Sequence, residues 1–160
     1  MSSPIPLFYR FIFLWYEPLS AAYGVYLTLA TPKVYLGHYF PDNSATWSHE
    51  YDFWFGQMAA AFFYVATSQA ILFRYTNDIG VWKILNACLV GWDIILLYSY
   101  WVASSAQGRD SPLQWLPGEW TKWSLTFGLG LIRAAFVLGI CDQGKAKPWV
   151  TGTYKLAGKF

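Results

Sequence analysis

The chain has 160 residues, of which 56% are hydrophobic, 21% aromatic and only 12% charged, about half the charge of an ordinary soluble domain. That balance argues against a water-soluble globule and for an integral membrane protein. A formal charge of +2, with basic residues scattered except at the C-terminus, gives no footing for a nucleic-acid partner.

A short polar lead precedes a first apolar stretch at 7–30, LFYRFIFLWYEPLSAAYGVYLTLA. A helix of about 20 apolar residues at ~1.5 Å rise crosses the hydrocarbon, so this stretch is expected to be a span. It lacks a basic n-region and an A-x-A cleavage site and is longer than a signal peptide's apolar core, so it reads as a retained span. Glu17 falls near mid-depth, where an acidic group costs about 2.5–3.5 kcal/mol and is expected to face the protein interior. Pro18 has no N–H for the carbonyl of Leu14, which predicts a kink and a freed carbonyl beside the acid.

Thr31-Pro32 ends the span. The segment 31–51 mixes Tyr35, Tyr39, Phe40 and Trp47 with His38, Pro41, Asp42, Asn43, His49 and Glu50. It reads as an interfacial loop with a short helix, suited to a lid. A second span is expected over 52–73, closed by a polar turn carrying Arg74, Asn77, Asp78 and Gly80. The third, 81–102, holds Asn86 and a second mid-depth acid, Asp93. Loop formers Gly108, Pro112, Pro117 and Gly118 then lead to a fourth span at 120–140, anchored by Trp120, Lys122 and Trp123 and containing Arg133. The tail at 141–160, with Lys145, Lys147, Lys155 and Lys159, reads as basic and cytoplasmic. Cys88 and Cys141 lie in or beside apolar segments without metal-like spacing and read as small buried hydrophobes. His38 and His49 do not suggest a metal site, and there is no internal repeat.

The expected fold is all-α: one membrane domain over 1–160, a left-handed antiparallel four-helix bundle packed through Ala59, Ala60, Ala61, Gly128 and Gly130. Arg10, Arg74, Lys83 and the tail lysines share one side, against Lys33, Arg109 and Lys122, which makes the former side cytoplasmic, with both termini on it. Asp42, Glu50, Asp52, Asp110 and Glu119 then crowd the opposite face.

Residues seven apart share a helix face. Asn86, Asp93 and Tyr100 form one stripe; Arg10, Glu17 and Gly24 another, with Ser20 adjacent; Gln57, Ala61, Tyr64 and Ser68 a third. Two carboxylates and one arginine in a dry site suit acid–base chemistry. The guanidinium forks to both acids, the acids titrate as a set, and a protonated carboxyl opposite an ionised one protonates an ether or epoxide oxygen while its partner activates water or an internal hydroxyl. Glu17, Asp93 and Arg133 are thus the expected catalytic residues. Tyr64, Asn86, Tyr98 and Tyr100, with Trp92 and Gln57, are the expected substrate-binding set. The plainer alternative is that the buried ion pairs only fix helix register and the aromatic residues only pack.

The stretches PLFYRFIFLWYEPLSAAYG, RYTNDIGVWKILNACLVGWDIILLYSY and LIRAAFVLG together resemble an uncharacterised fungal family of small four-span membrane proteins. That group is similar to the membrane epoxide hydrolases and cyclases of fungal polyene-pyrone biosynthesis, which open lipophilic epoxides made by a partner flavin monooxygenase. The resemblance implies Glu17 and Asp93 as acid and base, Arg133 as their organiser, and a polyene or terpenoid substrate. Soluble limonene-type epoxide hydrolases use an Asp–Arg–Asp set on an unrelated fold, a convergent analogy. The expectation is therefore an epoxide-opening enzyme of the endoplasmic reticulum membrane without cofactor or metal, with a homodimer left open. An isomerase or terpene cyclase using the same carboxylates, and a non-enzymatic lipid- or sterol-binding scaffold, are the alternatives.

Overall fold

The structure, a computed structural model of the chain, describes residues 5–40 and 47–140, and the regular elements in that range are all helical. Helix α1 (Leu7–Phe11) passes through a π-helical turn (Ile12–Tyr16) into α2 (Glu17–Ala30), and α3 (Pro32–Gly37) follows at once. A 3-10 turn (His49–Tyr51) opens α4 (Asp52–Tyr75); then come α5 (Ile79–Ser105), a second 3-10 turn (Pro112–Gln114) and α6 (Pro117–Val137). The basic tail at 141–160 with Cys141, and the part of the interfacial loop carrying Pro41, Asp42 and Asn43, lie outside the described residues.

Local chemistry sets these boundaries. Pro18 cannot donate to Leu14, and the turn before it is widened, with the Glu17 N–H bonded to the Ile12 carbonyl as in a π-bulge. The freed Leu14 carbonyl accepts from Arg74 Nη2 at 2.8 Å, so α4 supplies the donor that α2 lacks. Thr31, at φ −136° and ψ 55°, leaves the helical conformation before Pro32. Asp78 caps α5, its Oδ1 accepting from the N–H groups of Gly80 at 2.7 Å and Val81 at 3.3 Å, a standard N-cap. Gly139, at φ 77°, ends the α6 segment and the Ile140 N–H returns to the Ala135 carbonyl at 2.9 Å, a Schellman closure. Helix α6 begins at Pro117, three residues before the expected start of the fourth span, because Pro117 suits the first turn and Glu119 caps it.

Helix α2 packs along α4, and α5 along α6. The π turn that leads into α2 and the end of α4 meet through Phe13 and Phe73, while the start of α5 and the end of α6 meet through Trp82 and Phe136. Partners in each pair therefore run antiparallel. This lower end is an aromatic plug: Phe73 stacks on Trp82 at 4.3 Å, Phe13 meets Phe136 edge-on at 5.5 Å, and the Tyr9 hydroxyl donates to the Ile140 carbonyl. The upper end gathers Leu27, Tyr35 and Phe55.

Beside this apolar core the molecule also buries polar groups and exposes large apolar ones. Glu17, Gln69, Asn86, Asp93 and Arg133 are buried, whereas Phe53, Ile94 and Ile95 are more than 60% exposed. Two helical segments, His49–Tyr75 and Ile79–Ser105, are long and apolar enough to cross a membrane. Cys88 corrects the sequence reading: it is exposed on α5 rather than buried. The small residues also divide. Ala59 is buried but Ala60 faces outward; Gly130 lies against Asp93, whereas nothing approaches Gly128.

Candidate functional site

Each of four helices contributes one side chain to a buried polar cluster: Glu17 from α2, Gln69 from α4, Asp93 from α5 and Arg133 from α6. Arg133 Nη2 lies 3.1 Å from Glu17 Oε2, and its Nη1 donates to Asp93 Oδ2, so one guanidinium bridges two carboxylates. Gln69 Nε2 donates to the same Glu17 oxygen at 2.5 Å. Gly130 packs directly beside the bridge, where a Cβ would stand 3.5 Å from Asp93 Oδ2, in ordinary van der Waals contact. Glu17 Oε1, Gln69 Oε1 and Arg133 Nε have no hydrogen-bond partner among the described residues. Leaving buried polar atoms unsatisfied is costly, and where they occur they mark a place to look for function.

Glu17, Asp93 and Arg133 form part of the wall of a cavity of about 530 Å³, within the usual size range of small-molecule sites. Leu27, Phe62, Trp92, Leu96 and Leu129 make its sides, and Tyr35, Tyr39, Tyr100 and Lys122 its upper end. The lining residues Ser20 and Tyr23 on α2 and Thr121 and Leu125 on α6 are exposed. The cavity thus opens sideways between α2 and α6.

The upper end has its own order. The Tyr35 and Tyr39 hydroxyls are 3.0 Å apart, and burial pushes Tyr35 up to about 12 and Tyr39 up as well, so both stay neutral phenols. Lys122 Nζ donates to the His38 carbonyl and sits 3.6 Å from the centre of the Tyr39 ring, a cation–π contact. Burial, and then the neighbouring Lys122 ammonium, hold His38 below the ordinary imidazole range. Beyond Tyr39 and Tyr100 lies a second cavity of about 830 Å³, walled by Tyr51, Trp54, Phe55 and Met58.

Glu119 ties down the connection between α5 and α6. Its carboxylate accepts from Ser104 at 2.6 Å, from Arg109 Nε at 3.0 Å and from the Leu116 N–H at 2.8 Å. Burial alone would push this carboxyl up, but these donors together hold it below the usual range.

The family model described as Domain of unknown function (DUF7704) matches residues 2–143. The chain belongs to this family. No curated protein and no solved structure matches it.

In this DUF7704 chain the three residues expected to carry acid–base chemistry are brought together, and of the expected substrate-binding set Trp92 and Tyr100 line the cavity. The others do not. Tyr64 and Tyr98 are 70% and 63% exposed, and Gln57 also faces outward. Asn86 is fully buried, but it donates to the Trp82 carbonyl in its own helix and is absent from the cavity wall. The reason is angular. At ~100° per residue, Tyr98 lies about 140° around α5 from Asp93, while Tyr100 falls almost in line with it. On α4 the inward stripe is Phe62, Val65, Gln69 and Phe73, and the Gln57–Tyr64–Ser68 face is the next one round. Gln69 was therefore missed, although an amide among apolar residues in TSQAIL was a visible signal. Lys122 departs from expectation, turning into the cavity instead of anchoring α6 at an interface, and Glu119, expected only to lie on the face opposite the cytoplasmic one, is buried in an ion pair with Arg109.

Proposed function

We propose that this DUF7704 protein is a membrane-embedded acid–base enzyme that opens an epoxide of a lipophilic metabolite, by water or by an internal hydroxyl. The observation that carries the reading is the carboxylate–guanidinium–carboxylate bridge set in the wall of an aromatic-lined cavity, with Glu17 Oε1 unengaged. Two carboxylates against one guanidinium leave a net negative charge, and a dry site favours neutralising it with one shared proton. The protonated carboxyl gives that proton to the epoxide oxygen as its C–O bond breaks. The ionised partner takes a proton from the water or hydroxyl that forms the new C–O bond, and the product is a diol or a cyclic ether carrying a hydroxyl. Arg133 holds the pair in place throughout. A pair that served only as interhelical glue would leave no space beside it; here the cavity touches both acids.

The same reading places the chain in the endoplasmic reticulum membrane as an antiparallel four-span bundle with cytoplasmic termini. Its support is the exposed apolar exterior, the two long apolar helices and the grouping of Arg10, Arg74 and Lys83 toward the lower end. A sideways mouth between α2 and α6 would admit a substrate from the lipid. By the resemblance, a flavin-dependent oxygenase supplies the epoxide. The test is turnover of a polyene epoxide by microsomes containing the protein. Glu17→Gln and Asp93→Asn are each expected to lower the rate by about 10²–10⁴-fold with expression intact. Unchanged turnover in both variants removes the mechanism, and binding without turnover in the unaltered protein favours a lipid-binding scaffold.

A further inference from the structure

One charged group on the cavity wall has no part in the acid–base chemistry. Lys122, Thr126, Leu129 and Arg133 recur along one face of α6, and all four line the cavity. Lys122 and Arg133 are separated by about 16 Å along the helix axis. An ammonium has three N–H donors. The His38 carbonyl takes one and the Tyr39 ring faces the charge, but among the described residues no carboxylate is within ion-pair distance. Glu119, the nearest candidate one turn earlier, is already occupied by Ser104, Arg109 and the Leu116 N–H. The wall between the two polar ends is largely apolar, with Leu27, Phe62, Trp92 and Leu96 facing the gap beside Thr126.

We infer that the upper end of the cavity is a head-group site, in which Lys122 holds an acidic oxygen of an elongate amphiphile whose other end reaches the Glu17–Arg133–Asp93 bridge. The spacing acts as a ruler. The backbone positions of the two residues lie ~16 Å apart along α6, so a ligand that engages both polar ends needs an extended apolar middle, and a short chain cannot reach both at once. The neutral Tyr35 and Tyr39 hydroxyls beside Lys122 add hydrogen-bonding partners without opposing charge. The site deepens the proposed function and rests on it only for the identity of the group at the far end.

The test measures binding and turnover of ω-epoxy carboxylic acids of 8 to 18 carbons (about the range that brackets the ruler) by the full chain in lipid nanodiscs. Affinity is expected to rise once the chain is long enough to reach both ends, and the methyl ester of the best acid should bind at least about tenfold more weakly, because a hydrogen bond to a charged group is lost. Lys122→Gln should weaken the acid by a similar factor, leave the ester unaffected and raise KM with little change in kcat, while Lys122→Arg keeps most of the affinity. The comparison of acid with ester needs no variant, so a poorly folding Lys122→Gln does not blunt it. Equal affinity for acid and ester, or no dependence on length, overturns the head-group site. Length- and charge-dependent binding without any turnover leaves that site standing and removes the epoxide reading instead.

Discussion

Arg133 is the residue on which the centre of the molecule balances. It is 4% exposed and answers two acids at once, and breaking a buried ion pair by removing one partner costs about 3–5 kcal/mol because the other charge stays buried. Arg133→Met should therefore lower thermal stability in detergent steeply. Adding Glu17→Gln and Asp93→Asn to the same chain should recover most of that loss, since no unpaired charge then remains. A triple variant no more stable than the single one would mean that Arg133 acts through packing alone. Glu17, Asp93 and Arg133 were legible in the sequence because ionisable residues are rare and expensive inside apolar stretches. Gln69 was harder to assign, because a neutral amide costs less and only its angular position on α4 shows that it reaches Glu17.

At the scale of the element, the junction of α1 and α2 carries the most consequence. Pro18 removes one backbone donor, the π turn sets Glu17 facing the cluster, and Arg74 closes the gap from the end of α4. Arg74→Ala should cost about 1–3 kcal/mol by leaving the Leu14 carbonyl unsatisfied. In a Pro18→Ala background, where the new N–H is free to return to Leu14, the same change should cost much less. Equal costs in both backgrounds, read from thermal denaturation, would show that Arg74 matters mainly for its contact over Trp15, at 4.7 Å. The kink and the freed carbonyl follow from a single proline. The partner of that carbonyl comes from a residue far along the chain, which no local rule identifies.

For the whole molecule, the question is which solvent surrounds the exposed apolar surface. Ile95 is 65% exposed on α5. In water Ile95→Lys would be harmless, whereas near the centre of a bilayer a lysine costs about 2.5–3.5 kcal/mol. The expected outcome is a marked fall in membrane-integrated protein. Normal yield of folded Ile95→Lys, recovered without detergent, would contradict the membrane reading.

Composition and apolar run length were enough to determine the helical character of the described residues, the approximate limits of the apolar segments and the three charged residues within them, because each depends on a local cost. Which faces meet depended on the tertiary structure: Gln69 rather than Tyr64 on α4, Tyr100 rather than Tyr98 on α5, Lys122 turned into the cavity and Glu119 buried with Arg109. A period of 3.6 residues narrows a face but does not choose it. That choice is made by the space left when α2 packs along α4 and α5 along α6, a property of all four surfaces at once.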